Sequence, residues 1–237
     1  MHLLLTRPEL DAEGSRDRLI ALGYEVTVAP LIQIRMLEHV PLPDLPWQAV
    51  LVTSGNGARA LGQHEAAAKL HNLPVLAVGE QSAMRMRAQG FTNVLSADGD
   101  AEALAQLAHI RLDPANGPVL HVAGSVRAGD LAAMLGDQFA LTRVVLYEAE
   151  PVMQVPQEIL TGLQNAAFDG VLFYSPRSAR VFKELIIKAQ LERHLARMTA
   201  YCLSARVKQS LPDGAFRSVR IAKEPKEASL LSLIVAD

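Results

Sequence analysis

Cysteine is almost missing from this sequence. Of 237 residues only Cys202 carries a thiol, which excludes an internal disulfide framework and suits a reducing compartment. Metal-ligand spacing is missing too: His2, His39, His64, His71, His109, His121 and His194 form no His-x-x-x-His pair and no Cys/His pattern. There is no Walker loop and no Gly-x-Ser-x-Gly elbow, so neither a P-loop nucleotidase nor a serine hydrolase of that type is indicated. Aromatics are sparse at 5%, leaving Leu, Val, Ile and Ala to build the core. Charge of one sign is not in excess, the formal net being −2, so no global basic field invites nucleic acid. No apolar run approaches the roughly 20 residues of a membrane span. The opening MHLLLTRPE has no basic leader and reads as a first strand, so the cytoplasm is the expected location.

What is present is a regular alternation of short apolar runs with helical stretches, the mark of an α/β protein with parallel sheets. Strands are expected at residues 2–6, 25–34, 50–53, 75–78, 119–122, 143–147, 170–174, 199–203 and 219–222. Pro8 stands where a first helical residue belongs, Gly23 where that helix should end, and Asp100 where a later helix should be capped. Two proline-bearing stretches, EHVPLPDLPW (38–47) and EAEPVMQVPQ (148–157), interrupt the pattern. They imply two lobes, the second inserted into the first: residues 1–35 with 150–237, and residues 36–149. The fold expected is two similar parallel-sheet lobes of flavodoxin or Rossmann type.

The lobes read as copies. A shift of 121 residues lays VLVTSGNGARAL (50–61) on VLFYSPRSARVF (171–182), matching Ser54 with Ser175 and Arg59 with Arg180. LLLTRPE (3–9) falls on VLHVAGS (119–125), EVTVAPL (25–31) on TRVVLYE (142–148), and VLAVGEQSA (75–83) loosely on AYCLSARV (200–207). Such a period is a domain duplication and not a solenoid. Each copy keeps a strand, a serine and a helix start. A serine there caps the helix, and the positive end of the helix dipole favours an anion; a bare structural cap is the alternative. Gly55-x-Gly57-x-x-Ala60, with Glu80 further on as a ribose-binding acid, leaves a nicotinamide-dependent oxidoreductase open. The second copy has Pro176 and Ser178 in place of those glycines.

Taken in order, LLLTRPE, GYEVTVAPLIQI (23–34), VLVTSGNGARAL, VLAVGEQSAMRMRAQGF (75–91), VVLYEAEPV (144–152) and VLFYSPRSARVF resemble the uroporphyrinogen-III synthase family across nearly the whole chain. The resemblance implies two α/β lobes joined by a two-stranded β ladder, with the active site in a cleft. It implies a linear tetrapyrrole substrate, hydroxymethylbilane, which loses water, inverts its last ring and closes. No cofactor and no metal are implied; the bilane-forming enzyme is a conceivable partner. Tyr147 matches the family's tyrosine and is the candidate proton donor, packing between lobes being the alternative. Candidate substrate contacts in the inserted lobe are Ser54, Asn56, Gly79, Ser82, Gly124 and Arg127. Those in the other lobe are Arg7, Ser175, Arg177, Ser204 and Arg206. For Ser82, capping its helix is the alternative. Leu203-Ser204-Ala205-Arg206 departs from the family's Gly followed by a Thr pair, at the cost of two hydroxyls and a glycine. A non-catalytic two-lobe binding or scaffold module is therefore a further alternative.

Overall fold

The structure is a computed structural model describing residues 1–126 and 129–235. Its elements run β1 (His2–Leu5), α1 (Glu9–Ala21), β2 (Glu25–Val28), β3 (Ile32–Met36), β4 (Ala49–Val52), α2 (Gly55–Gly62), α3 (Ala67–Leu70) and β5 (Val75–Ala77). Next come α4 (Glu80–Ala88), β6 (Val94–Ser96), α5 (Ala101–Arg111), β7 (Val119–Gly124), α6 (Leu131–Leu135) and β8 (Leu141–Pro151). The chain continues with α7 (Gln157–Gln164), β9 (Gly170–Phe173), α8 (Pro176–Lys188), β10 (Thr199–Cys202), α9 (Ala205–Lys208), β11 (Ser218–Ile221) and α10 (Glu227–Val235). Contacts divide them into two compact units, Met1–Gln33 with Glu150–Asp237, and Ile34–Ala149. The chain passes from one unit to the other within β3 and returns within β8.

The first unit holds a parallel five-stranded sheet in the order β2-β1-β9-β10-β11. Counted along the unit this is 2-1-3-4-5, the flavodoxin arrangement. β9 and β10 are buried at every residue, as the middle of a parallel sheet covered on both faces must be. Leu3, Leu5, Leu19, Leu172 and Leu230 form a core cluster, each side chain contributing roughly 1.5–3 kcal/mol by leaving water. Pro8 is the cap residue of α1 and not its first turn. Gly23, with φ +86°, ends that helix in the left-handed region open to glycine.

The second unit holds a six-stranded sheet, β3-β8-β7-β4-β5-β6. β4 to β8 are parallel. β3 runs antiparallel to β8, Leu37 N donating to Leu146 O at 2.9 Å and Val152 N to Leu31 O at 3.1 Å. Alternation along β4 sends Val50 and Val52 to one core with Leu61 and Met86, and Ala49 and Leu51 to the other with Leu104 and Leu131.

The repeat pairs β1 with β7, β2 with β8, β9 with β4 and β10 with β5. In these pairs β8-β7-β4-β5-β6 reproduces β2-β1-β9-β10-β11, so matched segments hold the same place in each sheet. Register makes the match residue-specific. Leu3 pairs with Gly170 and Val26, and Val119 pairs with Ala49 and Leu141. Counting two residues on, the pair Leu5 and Val28 stands where His121 and Arg143 stand in the other sheet.

Some expectations need correction. The strand expected over 25–34 is two strands in different sheets, because Pro30 lacks an N–H and breaks the ladder between them. The strand expected at 143–147 extends through Pro151, and β6 was not anticipated. Among the described residues no helix is long and apolar enough to cross a membrane.

Candidate active site

Open α/β sheets bind ligands at the carboxyl ends of their strands. In the second unit those ends border a cavity of about 460 Å³, lined by Thr53, Ser54, His121, Gly124, Arg143 and Tyr147 among others. Ser54 lies one residue beyond β4, after Thr53, and caps α2, its Oγ accepting from Gly57 N at 3.0 Å. The same hydroxyl shares a 2.8 Å hydrogen bond with the Tyr147 phenol. Tyr147 reaches it from β8 because the ladder shifts register there: Ala123 pairs with Val145 but Gly124 pairs with Tyr147, leaving Leu146 as an extra residue. Gly124 is required at this contact, since a Cβ there would lie 2.6 Å from the Tyr147 ring.

Beneath this pair, His121 of β7 is 8% exposed, with Nε2 3.3 Å from the Thr53 hydroxyl. Burial, and then the charge of Arg143, push its imidazole down to about 4, so it is neutral near pH 7. Arg143 donates to the Gly124 carbonyl. In the sequence His121 belongs to no metal-ligand pattern, and no local motif marks Arg143 or Thr53. The available signal was a histidine inside the apolar run VLHVAG, where an imidazole needs a partner.

The other candidates of this unit are dispersed. Asn56 lies in the first turn of α2 and accepts from the Arg59 guanidinium. Gly79 precedes α4, which has no side-chain cap, and a Cβ at Gly79 would meet no atom within 4 Å. Ser82 is not the cap of α4: it is the third helical residue and 5% exposed. Arg127 lies outside the described residues.

In the first unit Ser175 caps α8, accepting from Ser178 N at 3.0 Å, and Arg177 lies in that helix's first turn. Ser204 precedes α9 but makes no side-chain cap bond, and Arg206 is exposed. Arg7 is occupied elsewhere. Its guanidinium bonds Ser15 at 3.0 Å and Glu227 at 3.1 Å, and lies 4.3 Å above the Tyr174 ring. A charge so paired stabilises its own unit, and a substrate carboxylate at Arg7 would have to compete with Glu227. Burial alone would raise the Glu227 carboxyl; the Ser15 hydroxyl, Arg7, Arg18 and Tyr174 together hold it below its usual range. Burial likewise pushes the Cys202 thiol up to about 12, partly opposed by Lys208, as befits an inert core cysteine.

This architecture belongs to a class of two-unit α/β proteins represented by known crystal structures. Uroporphyrinogen-III synthetase from Helicobacter pylori matches with a TM-score of 0.65 at 17% identity, over 99% of this chain and 98% of that one. A mutant uroporphyrinogen III synthase from the extremely thermophilic bacterium Thermus thermophilus matches with a TM-score of 0.56 at 16% identity, over 100% and 98%. At such identities the likeness is one of fold. Among curated proteins none matches the sequence significantly. The family HEM4, uroporphyrinogen-III synthase HemD, matches residues 15–232, and the chain belongs to that family of lyases. The nicotinamide reading falls with this result. Its supposed phosphate turn is already filled, because the Ser54 hydroxyl takes the Gly57 N–H, and Glu80 bonds Arg87 at 2.6 Å on the surface of α4.

Proposed function

We propose that this chain closes hydroxymethylbilane to uroporphyrinogen III, with loss of water and inversion of the last ring, and that Tyr147 donates the proton to the departing hydroxyl. The 2.8 Å bond between Ser54 and Tyr147 at the cavity carries the second part. The leaving oxygen needs a proton, and the phenolic O–H of Tyr147 is a donor placed to supply one. Once it is given up, the Ser54 hydroxyl can donate to the phenolate while its lone pair still accepts from Gly57 N. The positive end of α2 stabilises the same charge.

Water alone can expel the hydroxyl and close the ring, but without inversion. The enzyme's work is therefore positioning, worth roughly 7–11 kcal/mol in favourable cases. Backbone donors suit a substrate with eight carboxylates. The uncapped start of α4 at Gly79, which has open space before it, supports a carboxylate contact there. Ser82 is assigned to packing beneath that turn. In the first unit, Ser175, which caps α8, and Arg177, in that helix's first turn, offer a carboxylate contact of their own. The chemistry asks for no cofactor. The lone buried thiol supports a cytoplasmic setting. The unstable bilane makes direct supply by the bilane-forming enzyme advantageous.

The test is to couple the protein to bilane formation and separate the product isomers. The type III isomer is expected; type I alone would leave the non-catalytic binding module standing. Tyr147→Phe should slow type III formation by about 10²–10⁴-fold.

A further inference from the structure

Tyr147 sits where it does for reasons that can be traced through its neighbours. The register shift between Ala123 and Gly124 brings Gly124 opposite Tyr147, and the ring lies so close to Gly124 that no side chain fits between. The Gly124 backbone is therefore one wall of the ring's seat. Past the shift Ser125 N donates to Tyr147 O at 2.9 Å, and the Arg143 guanidinium adds a bond to the Gly124 carbonyl itself, from the same strand that carries Tyr147. One side chain thus ties the two strands together at the shift, where the regular ladder is interrupted. A bond from a charged donor is the strong kind.

The other unit shows what the same strands need when no such task exists. Val28 pairs with Leu5 at the corresponding place, and no charged side chain is used. Arg143 is thus not required by the strand order. Nor does the cavity wall favour an anion at Arg143. Asp100 and Asp130 also line it, each accepting from the first turn of a helix, so negative charge outnumbers positive among the described lining residues.

We infer that Arg143 is a positioning residue for ring closure: through the Gly124 carbonyl it fixes the surface against which the Tyr147 ring rests, and so holds the Tyr147 hydroxyl against Ser54. The inference rests on the reading of Tyr147 as proton donor. Arg143 itself touches no reacting atom. Its effect belongs in kcat, because a donor displaced by about 1 Å can cost on the order of 10²-fold in rate while ground-state binding is kept.

The experiment compares wild type, Arg143→Gln and Arg143→Lys in the isomer assay, and by NMR of protein labelled at tyrosine Cζ. Only four tyrosines are present, so the Tyr147 signal can be assigned by its loss in Tyr147→Phe. Arg143→Gln should lower kcat by about 10- to 100-fold, leave KM within about twofold and move the Tyr147 signal. Arg143→Lys should restore part of both the rate and the signal, and carries the test alone if the glutamine variant does not fold. A raised KM with unchanged kcat would make Arg143 a substrate contact and overturn the inference. An unmoved Tyr147 signal would overturn it as well. If wild type makes no type III isomer, the ring-closure reading fails by itself, and the tyrosine signal still decides whether Arg143 holds Tyr147.

Discussion

The two units share a strand order and a serine-capped helix after the corresponding strand, yet they use the same location differently. In the second unit, His121 within β7, Arg143 within β8 and Thr53 just after β4 stand beside a cavity. In the first, the places of His121 and Arg143 hold Leu5 and Val28, and the place of Thr53 holds Tyr174. Tyr174 is closed into an internal network: its hydroxyl donates to Glu227 at 3.1 Å under the guanidinium of Arg7. Burial, with Glu227 beside it, pushes that phenol above its usual range, so it holds its proton firmly. Duplication preserved what the backbone requires, the strand order and the caps. It left the side chains on and just after those strands free to become a stabilising cluster in one copy and a candidate site in the other.

The difference can be broken from the stabilising side first. Glu227→Gln should destabilise the protein by about 1–3 kcal/mol, because it strips Arg7 and Arg18 of their anion while turnover stays within about twofold. The Glu227 carboxyl is held low in the folded state, so its contribution is complete above the unfolded value near ~4.3 and is lost as pH falls through the lowered folded value. Thermal melts against pH should show the variant losing less stability on acidification than wild type.

His121→Leu places in the second unit the residue type found in the first. The neutral imidazole titrates at about 4 when folded and ~6.5 when unfolded, so wild type loses stability as pH falls between those values. The slope from this group is at most about 1.4 kcal/mol per pH unit. The variant should lack that component, and an unchanged melt profile over this window would place the imidazole in solvent contact.

Ser54→Ala and Ser175→Ala should each cost about 1 kcal/mol as lost caps, measured by denaturant unfolding. Only Ser54→Ala should slow product formation sharply, since only Ser54 bonds a candidate proton donor. Gly79→Val should be the mildest for stability, within about 0.5 kcal/mol, because its backbone is extended and the space around it is open. Its effect should appear as a raised KM.

Much of this was legible in the sequence, and what was not has physical causes. The serine caps, the Asp100 cap and the glycine stop at Gly23 are local patterns and are read from a few neighbouring residues. The repeat placed strands of the two sheets in correspondence because apolar strand and helix start persist when identity does not. β6 was missed because three residues, Val94–Ser96, carry too little periodicity to stand out. The break at Pro30 was hidden by apolar neighbours on both sides. The pairing of Arg7 was not legible because its partner, Glu227, lies 220 residues away, and no local pattern announces it. Arg143 and the shift beside Gly124 were invisible for the same reason: a register is a property of two strands, not of one.

The difference between the units is tested most directly by one pair of tyrosines. Tyr147→Phe and Tyr174→Phe remove the same atom, one from the cavity of the second unit and one from the closed cluster of the first. Initial rates of type III isomer formation should fall at least about a hundredfold for Tyr147→Phe and stay within about twofold for Tyr174→Phe. Equal losses, or a larger loss at Tyr174, would contradict the assignment of the chemistry to the second unit.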